Sequence, residues 1–486
     1  MVTTNASRFS FWIALGAVPL LAVASLLFLV GGSSQSSLAL IAMCLAPIAL
    51  YAALQYPLIF PLTVYVLLIP FDSLLGTGSG TLTKLLGMIS GAFLFIAVVR
   101  RRNVTITAPI VALMALTIWM VASGLWAVDQ SAAFAILPTY VGLFLLYAVL
   151  AMTPISMQQF RWMLALTAAG GLCAAAYGIR MFYQNPAFAH ESANMMRLIV
   201  QSGDSQIDPN HFADALLFPI AIITMWALRS RNPIVKLACV GGVIVLVTAI
   251  LLAGSREGLI GVLLIMAYYV WRSRYRLQVI IAGLLIGAGA ATSPTSVWLR
   301  FTEAAQTGGS GRTSIWGVGF EAAKHRLLQG YGIGSFTHAF DMFYLAVPAI
   351  DPYGWDSPAH NLILHYLVEL GIVGLGLIAL FFIAQFRSLP PIPRTSDLYD
   401  YRVVMEASLL AILTVSMTID LFTYKYAWWV FTMVALLSKA VADSQASAPM
   451  RNASSPMMSA RSARTAMRSL PELPSWRSEA LSRSAK

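Results

Sequence analysis

The fold of this chain is decided by residues 311–336, which read GRTSIWGVGFEAAKHRLLQGYGIGSF, and by residues 357–375, which read SPAHNLILHYLVELGIVGL. Both stretches are rich in glycine, aromatic and ionisable residues, whereas the sequence around them is mostly apolar. The second stretch runs directly into an apolar, helix-forming segment. We therefore predict one large polar excursion from an apolar chain and look for the functional site there.

The composition of the chain is typical of an integral membrane protein. Its 486 residues are 58% hydrophobic and only 10% charged, with a mean hydropathy of +0.75, whereas a soluble domain is about 25% charged. One soluble core cannot bury so much apolar surface, so the bilayer must be the solvent. The net charge of +11 is spread over many short loops. It therefore gives no basis for nucleic-acid binding and fits the positive-inside pattern.

Apolar runs long enough to cross a bilayer recur along the chain and predict an all-α, polytopic helical bundle with about 12–14 spans. Pro57 and Pro61 interrupt the second and third runs, and residues 420–425 separate the last two. The predicted spans are 11–30, 38–55, 57–70, 84–99, 107–126, 134–152, 162–183, 213–228, 236–253, 258–271, 277–292, 360–386, 404–422 and 425–441.

The distribution of Lys and Arg over the loops predicts the orientation of the bundle. Loops such as 100–102 and 272–276 are basic, whereas the three short loops predicted on the other side before residue 133 contain no Lys or Arg. Because basic loops stay in the cytoplasm, both termini are expected there. The loop 293–359 is then expected on the outer face.

We divide the chain into a polytopic membrane domain over residues 1–441 and a basic tail over residues 442–486. The tail has no apolar period, so we expect it to be disordered, cytoplasmic and able to touch anionic lipid. The outer loop 293–359 is expected to contain an amphipathic helix that begins at Thr313 or Ser314 and lies on the membrane surface or caps the bundle. The residues predicted to share its apolar face are Trp316, Phe320, Ala323 and Leu327.

Three ionisable residues, Arg256, Arg312 and His360, lie at the edges of apolar segments on the predicted outer side. Guanidinium groups match phosphate oxygens, and a histidine can take or position a proton, so the set suits a lipid-anchored phosphate or diphosphate. Each residue also has a structural explanation: a surface turn with Glu257, an exposed loop arginine, or a helix cap. The sequence has no P-loop, HExxH, GxSxG or carboxylate cluster, so we expect no metal, nucleotide or other cofactor.

Four segments, taken in order, resemble the bacterial O-antigen ligase and O-antigen polymerase superfamily. The resemblance covers roughly residues 190–385, which would be the catalytic region. The segments are DPNHFADALLFPIAI (208–222), SREGLIGVLL (255–264), the pair Arg312 and Trp316 followed by GYGIGSF (330–336), and AHNLILHYLVELGIVGL (359–375).

The resemblance implies a glycosyltransferase in the bacterial inner membrane with a periplasmic active site. It would move a glycan from undecaprenyl diphosphate to an acceptor sugar in lipopolysaccharide or exopolysaccharide biosynthesis. By position, Arg256 and Arg312 would be catalytic and hold the diphosphate, with Arg197 as a further ligand. His360 would orient or deprotonate the acceptor hydroxyl, and Glu257 stands where the family commonly has Gly. Inversion is expected because no carboxylate pair for a double displacement is apparent.

The sequence leaves other interpretations open. The acceptor would be lipid A-core for a ligase, another lipid-linked glycan for a polymerase, or a protein. A lipid-linked glycan transporter or flippase is a different class, favoured by Asp214, Glu369 and Asp420 in or near predicted spans. A structural membrane protein without a site is the third alternative.

Overall fold

The structure is a computed structural model that describes residues 50–77, 80–101, 105–184, 197–202, 205–292, 297–298, 300–302, 312–347 and 357–446. Within these ranges the chain is almost entirely α-helical. The predicted span 11–30, most of the span 38–55, the tail beyond residue 446 and parts of the loop 293–359 lie outside the described residues.

The described helices follow the apolar pattern of the sequence. Every predicted span from 84–99 onward coincides with one helix. In chain order the helices are α1 (Leu62–Leu68), α2 (Leu82–Arg101), α3 (Ala108–Ser123), α4 (Gln130–Met152), α5 (Met157–Gln184), α6 (Pro209–Arg229), α7 (Pro233–Ala253), α8 (Arg256–Arg272), α9 (Arg276–Thr292), α10 (Arg312–His325), α11 (Phe336–Phe343), α12 (Leu362–Ser388), α13 (Tyr399–Val415) and α14 (Lys425–Ala446).

Short elements join these helices. A 3₁₀ helix over Ile69–Leu75 continues α1, so the predicted span 57–70 is broken into two pieces. Two small antiparallel hairpins follow, one pairing β1 (Gly76–Thr77) with β2 (Gly80–Thr81) and one pairing β3 (Val200–Ser202) with β4 (Ser205–Ile207). A second 3₁₀ helix, Tyr344–Ala346, follows α11.

Within the described part of the chain, six helices are long and apolar enough to cross a membrane: α2, α4, α5, α6, α7 and α12. Helix α6 is central, because 83% of its most apolar stretch is buried, and it packs against α5, α7, α8 and α13. These findings confirm the predicted all-α, polytopic membrane architecture.

Polar residues at the helix starts explain where the chain turns. The Asp208 carboxylate accepts from the backbone N–H groups of Asn210 and His211 and so caps α6. Helix α7 ends at Gly254, whose φ of 60° suits a residue without a Cβ, and Ser255 then caps α8. The reversal between α7 and α8 is therefore tight, and it places Arg256 directly beside the end of α7.

A second, smaller core lies at one end of the bundle. There α10, α11 and the first part of α12 pack through residues such as Val318, Phe340 and Leu364. Helix α12 breaks at Gly371, where φ is 67° and ψ is −170°. The turn after α10 fits into this break, because the Tyr331 N–H donates to the carbonyl of Val368. We call α10, α11 and residues 362–370 the cap.

The cap helix α10 is present, and only part of its predicted apolar face packs against the protein. Ala323 is buried, whereas Phe320 and Leu327 are 51% and 50% exposed. Gly319 instead faces Leu364 of α12 closely enough that an added Cβ would lie 2.9 Å from the leucine Cδ2. The residues that α10 buries are Ile315, Val318, Gly319, Ala322 and Ala323.

Candidate functional site

One end of the bundle collects the helix ends that border the predicted outer loops. The Leu198 N–H donates to the carbonyl of Leu252 at the end of α7, and the Leu362 N–H donates to the carbonyl of Ser416 after α13. The start of α6 contacts the start of α14, because His211 Nδ1 lies 3.0 Å from the Tyr426 hydroxyl. Candidate residues that are far apart in sequence are therefore neighbours here.

Three arginines surround the turn between α7 and α8. Arg256 is 7% exposed, and its Nη1 donates to the carbonyl of Arg300 at 3.0 Å. Arg300 Nη1 donates to the carbonyl of Gly254 at 3.2 Å. Arg197 Nε donates to the carbonyl of Ala253 at 2.9 Å, and its Nη2 donates to Asn210 Oδ1 at 2.8 Å. The arrangement concentrates positive charge at the end of α7.

The charge environment of Arg197 reflects this concentration. Burial and then the nearby positive charge of Arg300 lower the pKa of Arg197 to about 10. The side chain is still protonated at neutral pH, because its pKa remains well above 7. Arg197 thus brings a partly desolvated positive charge to the same end of the bundle as Arg256.

The fourth arginine, Arg312, connects the cap to this turn. As the first residue of α10, it places its Nη2 2.7 Å from Oε1 of Glu257 in the first turn of α8. The two side chains are 16% and 5% exposed, so the ion pair is largely shielded from water. The pair fixes the start of the cap helix against the start of α8.

His360 lies between two anchored residues in the segment before α12. Trp316 Nε1 donates to the carbonyl of Ala359 at 3.0 Å, and Asn361 Nδ2 donates to the carbonyl of Met417 at 2.9 Å. His360 itself has a φ of 46°, a left-handed conformation that is uncommon for a residue with a Cβ and often occurs at functional sites. Burial and then the charge of Arg312 lower its pKa below the usual 6.5. The imidazole is therefore neutral at pH 7 and can accept a proton.

An apolar groove of about 670 Å³ runs along α7 toward the turn that these arginines surround. It follows α7 from Lys236 to Leu252 and is bordered by residues of α8 and α9, including Met266 and Ile281. The helix rises by roughly 24 Å between these two ends of the groove, which is most of the hydrocarbon thickness of a bilayer. The end of the groove at Leu252 meets the segment that contains Arg197, because the Leu252 carbonyl accepts the hydrogen bond from the Leu198 N–H.

A comparison with protein families identifies the segment that carries most of these residues. Residues 216–379 match the family model described as O-antigen ligase. This segment is similar to the O-antigen ligase family. The match supports the resemblance to the superfamily and indicates a multi-pass membrane enzyme of the ligase or polymerase type. No curated protein matches the chain.

The segment that matches the O-antigen ligase family contains Arg256, Arg312 and His360, whereas Arg197 precedes it. The structure brings all four residues to one end of the bundle, and their catalytic and binding roles remain predictions. The structure argues against two of the purely structural explanations, those for His360 and Arg312. Asn361, not His360, caps α12, and Arg312 forms a shielded ion pair instead of lying exposed in a loop.

Sequence reasoning missed Arg300 and His211. Arg300 lies in the aromatic and apolar stretch SVWLRF, and an isolated arginine in such a stretch was the available signal. His211 lies at the start of α6, where its ring stacks on Tyr424 with centroids 3.6 Å apart. No local pattern of the sequence indicates that residues 211 and 424 meet.

The ionisable residues that favoured a transporter lie at the site end of the fold. In the cap, His365 Nε2 lies 3.3 Å from Glu369 and 3.9 Å from Asp420, which follows α13. Asp214 is buried in α6, and in the part of the chain that the structure describes neither of its carboxylate oxygens has a hydrogen-bond partner. Among the same residues no group of three or more His, Cys, Asp or Glu is arranged to hold a metal ion. Metal independence stays a prediction.

Proposed function

We propose that this protein transfers a glycan from undecaprenyl diphosphate to the hydroxyl of an acceptor sugar on the periplasmic face of the bacterial inner membrane. The observation that carries the proposal is the convergence of Arg197, Arg256, Arg300 and Arg312 at one end of the bundle, next to His360. Guanidinium groups bind phosphate oxygens strongly and with defined geometry.

The groove along α7 suits the lipid part of such a donor. Its walls are mainly aliphatic, and its end at Leu252 meets the segment that contains Arg197, through the hydrogen bond from the Leu198 N–H. A polyprenyl tail in the groove would therefore hold the diphosphate at the arginines. Replacing Val247 in the groove wall by Phe is expected to raise KM for a long-chain donor and to leave KM for a short-chain donor unchanged. Equal effects on both donors would contradict this placement.

The transfer step follows from the positions of the charged groups. The acceptor oxygen attacks the anomeric carbon and forms the new glycosidic bond, while the bond from that carbon to the diphosphate oxygen breaks. The electron pair stays on the diphosphate, whose growing negative charge Arg256 and Arg312 stabilise. The hydroxyl proton passes to neutral His360 and then to water. One displacement of this kind inverts the anomeric carbon.

The loop charges support the proposed side of the membrane. The opposite end of the bundle carries Arg229, Arg272, Arg274 and Arg402, which contact Asp400 or Glu406. Because basic residues stay in the cytoplasm, this arrangement supports cytoplasmic termini and a periplasmic site. A reporter fused within residues 293–359 that proved cytoplasmic would refute the proposal.

The decisive experiment replaces Arg256, Arg312 and His360 by Ala in separate variants and measures glycan transfer together with membrane abundance. Each change is expected to lower the transfer rate by about 10²–10³, because one electrostatic donor typically contributes that much. Arg274→Ala is a matched control, because Arg274 lies at the other end of the bundle and is 43% exposed. A loss of abundance without a loss of transfer per molecule would show that the residues are structural.

The acceptor is tested in a deletion strain. We propose a ligase, with lipid A-core as acceptor, because the matching family is described as O-antigen ligase. Long glycan would then accumulate on the carrier lipid. Single-unit glycan would indicate a polymerase that uses another lipid-linked glycan, and an unglycosylated protein would indicate protein O-glycosylation. Transfer by the purified protein in detergent, where no second compartment exists, would exclude a flippase.

A further inference from the structure

Glu257 is the buried negative charge of the arginine cluster. Its carboxylate lies 2.7 Å from Arg312, follows Arg256 in the chain and is 5% exposed. A buried carboxylate among the arginines of the proposed anion site calls for a physical explanation.

The charges around Glu257 come from every element packed against the turn. Its own helix contributes Arg256, α10 contributes Arg312, and the segment before β3 contributes Arg197. The other titratable groups that interact with it are His211 and Asp214 of α6 and His360 before α12, and Asp208 interacts with the same neighbours. If the buried Asp214 is counted as neutral, four arginines against Glu257 and the more exposed Asp208 leave a formal excess of two positive charges.

Substrate and product of the proposed reaction differ in charge. A polyprenyl diphosphate sugar is a diester of diphosphate with two negative charges. The polyprenyl diphosphate that remains after transfer ends in a phosphate monoester, which undergoes a further ionisation with a pKa of about 6. A site whose excess positive charge is greater than the two negative charges of the donor would therefore retain the product more strongly than the donor.

We propose that Glu257 determines the selectivity of this anion site, by partly neutralising Arg312 so that the donor diphosphate is held and the more highly charged product is released. The inference rests on the proposed function. The Glu257 carboxylate and the terminal phosphate of the product would both pair with the Arg312 guanidinium, so the carboxylate opposes retention of the product. A glutamine of nearly the same shape keeps the packing and removes the charge.

The experiment compares the purified full-length wild type with Glu257→Gln and measures the affinity for farnesyl diphosphate, a short polyprenyl diphosphate monoester. The glutamine variant is expected to bind it about tenfold more tightly, as for one partly screened charge. Affinity for the corresponding diphosphate sugar should rise by a smaller factor. In turnover, both KM for the donor and kcat should fall, because product release becomes slower.

Two further variants separate charge from shape. Glu257→Asp keeps the charge and should restore the wild-type ratio of the two affinities. Glu321→Gln is the matched control, since it removes one carboxylate from the exposed pair with Lys324 on α10 and should change neither affinity. Weaker or equal binding of farnesyl diphosphate by Glu257→Gln would overturn the inference and show that Glu257 only orients Arg312. Unchanged binding by Arg312→Ala would instead refute the proposed diphosphate site itself.

Discussion

Gly319 sets the distance between the cap helix α10 and α12, and replacing it by Ala tests how closely Arg312 and His360 must be held. A methyl group at position 319 would lie 2.9 Å from Cδ2 and 3.2 Å from Cγ of Leu364, whereas ordinary contacts begin at 3.4 Å. Leu364 is 2% exposed and has little room to retreat. The helices must therefore separate by about half an ångström or the leucine must leave its rotamer, at a cost of about 1–3 kcal/mol.

The expected result of Gly319→Ala has two parts, measured on purified protein in detergent. Thermal unfolding should begin at a lower temperature, and transfer per folded molecule should fall by about tenfold or more, because a misplacement of about 1 Å can cost about 10² in rate. Gly317→Ala is the control on the same helix, since among the described residues its added methyl group would meet only Val347 Cγ1, at 3.7 Å. That variant should be as stable as the wild type or more stable, because Ala favours helix over Gly.

A double variant identifies the cause. Leu364→Ala removes all three side-chain atoms that the new methyl group would approach, although alone it leaves a cavity that costs about 2–5 kcal/mol. In Gly319→Ala/Leu364→Ala the methyl group partly fills that cavity, so the loss of stability should be smaller than the sum of the single losses. Additive losses, or a Gly319→Ala protein with full activity, would refute the reasoning.

Three further predictions concern single groups. Because the pKa of His360 lies below 6.5, the neutral, basic form of His360 persists as the pH falls to 6.5, and kcat/KM should decline only at lower pH. Arg312→Gln removes a charge that lowers this pKa, so the decline should move to higher pH. Lys425→Met leaves Asp72 without the cation that lies 2.6 Å from both of its oxygens. The free energy of unfolding should fall by about 1–2 kcal/mol, and adding Asp72→Asn should recover part of that loss. An unchanged free energy of unfolding in Lys425→Met would show that the pair does not stabilise the fold. Glu406→Gln should lower the melting temperature, because Glu406 accepts from Tyr268 at 2.7 Å, yet transfer per folded molecule should stay normal. A selective loss of transfer would mean that the opposite end of the bundle takes part in the reaction.

The sequence predicted the helices well because their causes are local. An apolar run of sufficient length and a cap within a few residues of its start decide where a helix forms, as Asp208 does for α6 and Asn361 for α12. The break before α14 followed in the same way from Asp420 and Lys425, which interrupt the apolar sequence. Residue types at span edges also identified Arg256, Arg312 and His360 as candidates.

The tertiary structure alone decided which helix ends meet. The pair between Arg312 and Glu257, the contact of Arg256 with the Arg300 carbonyl and the stacking of His211 on Tyr424 join residues 44 to 213 positions apart. Such neighbours depend on how closely helices pack, as at Gly319, and no local pattern encodes that distance. The helical spacing of apolar residues predicted an apolar face for α10, but the contacts with its packing partners determine which of its residues are buried. Length, capping and charge thus belong to the sequence itself, whereas the assembled cation site exists only because the helices pack in one particular way.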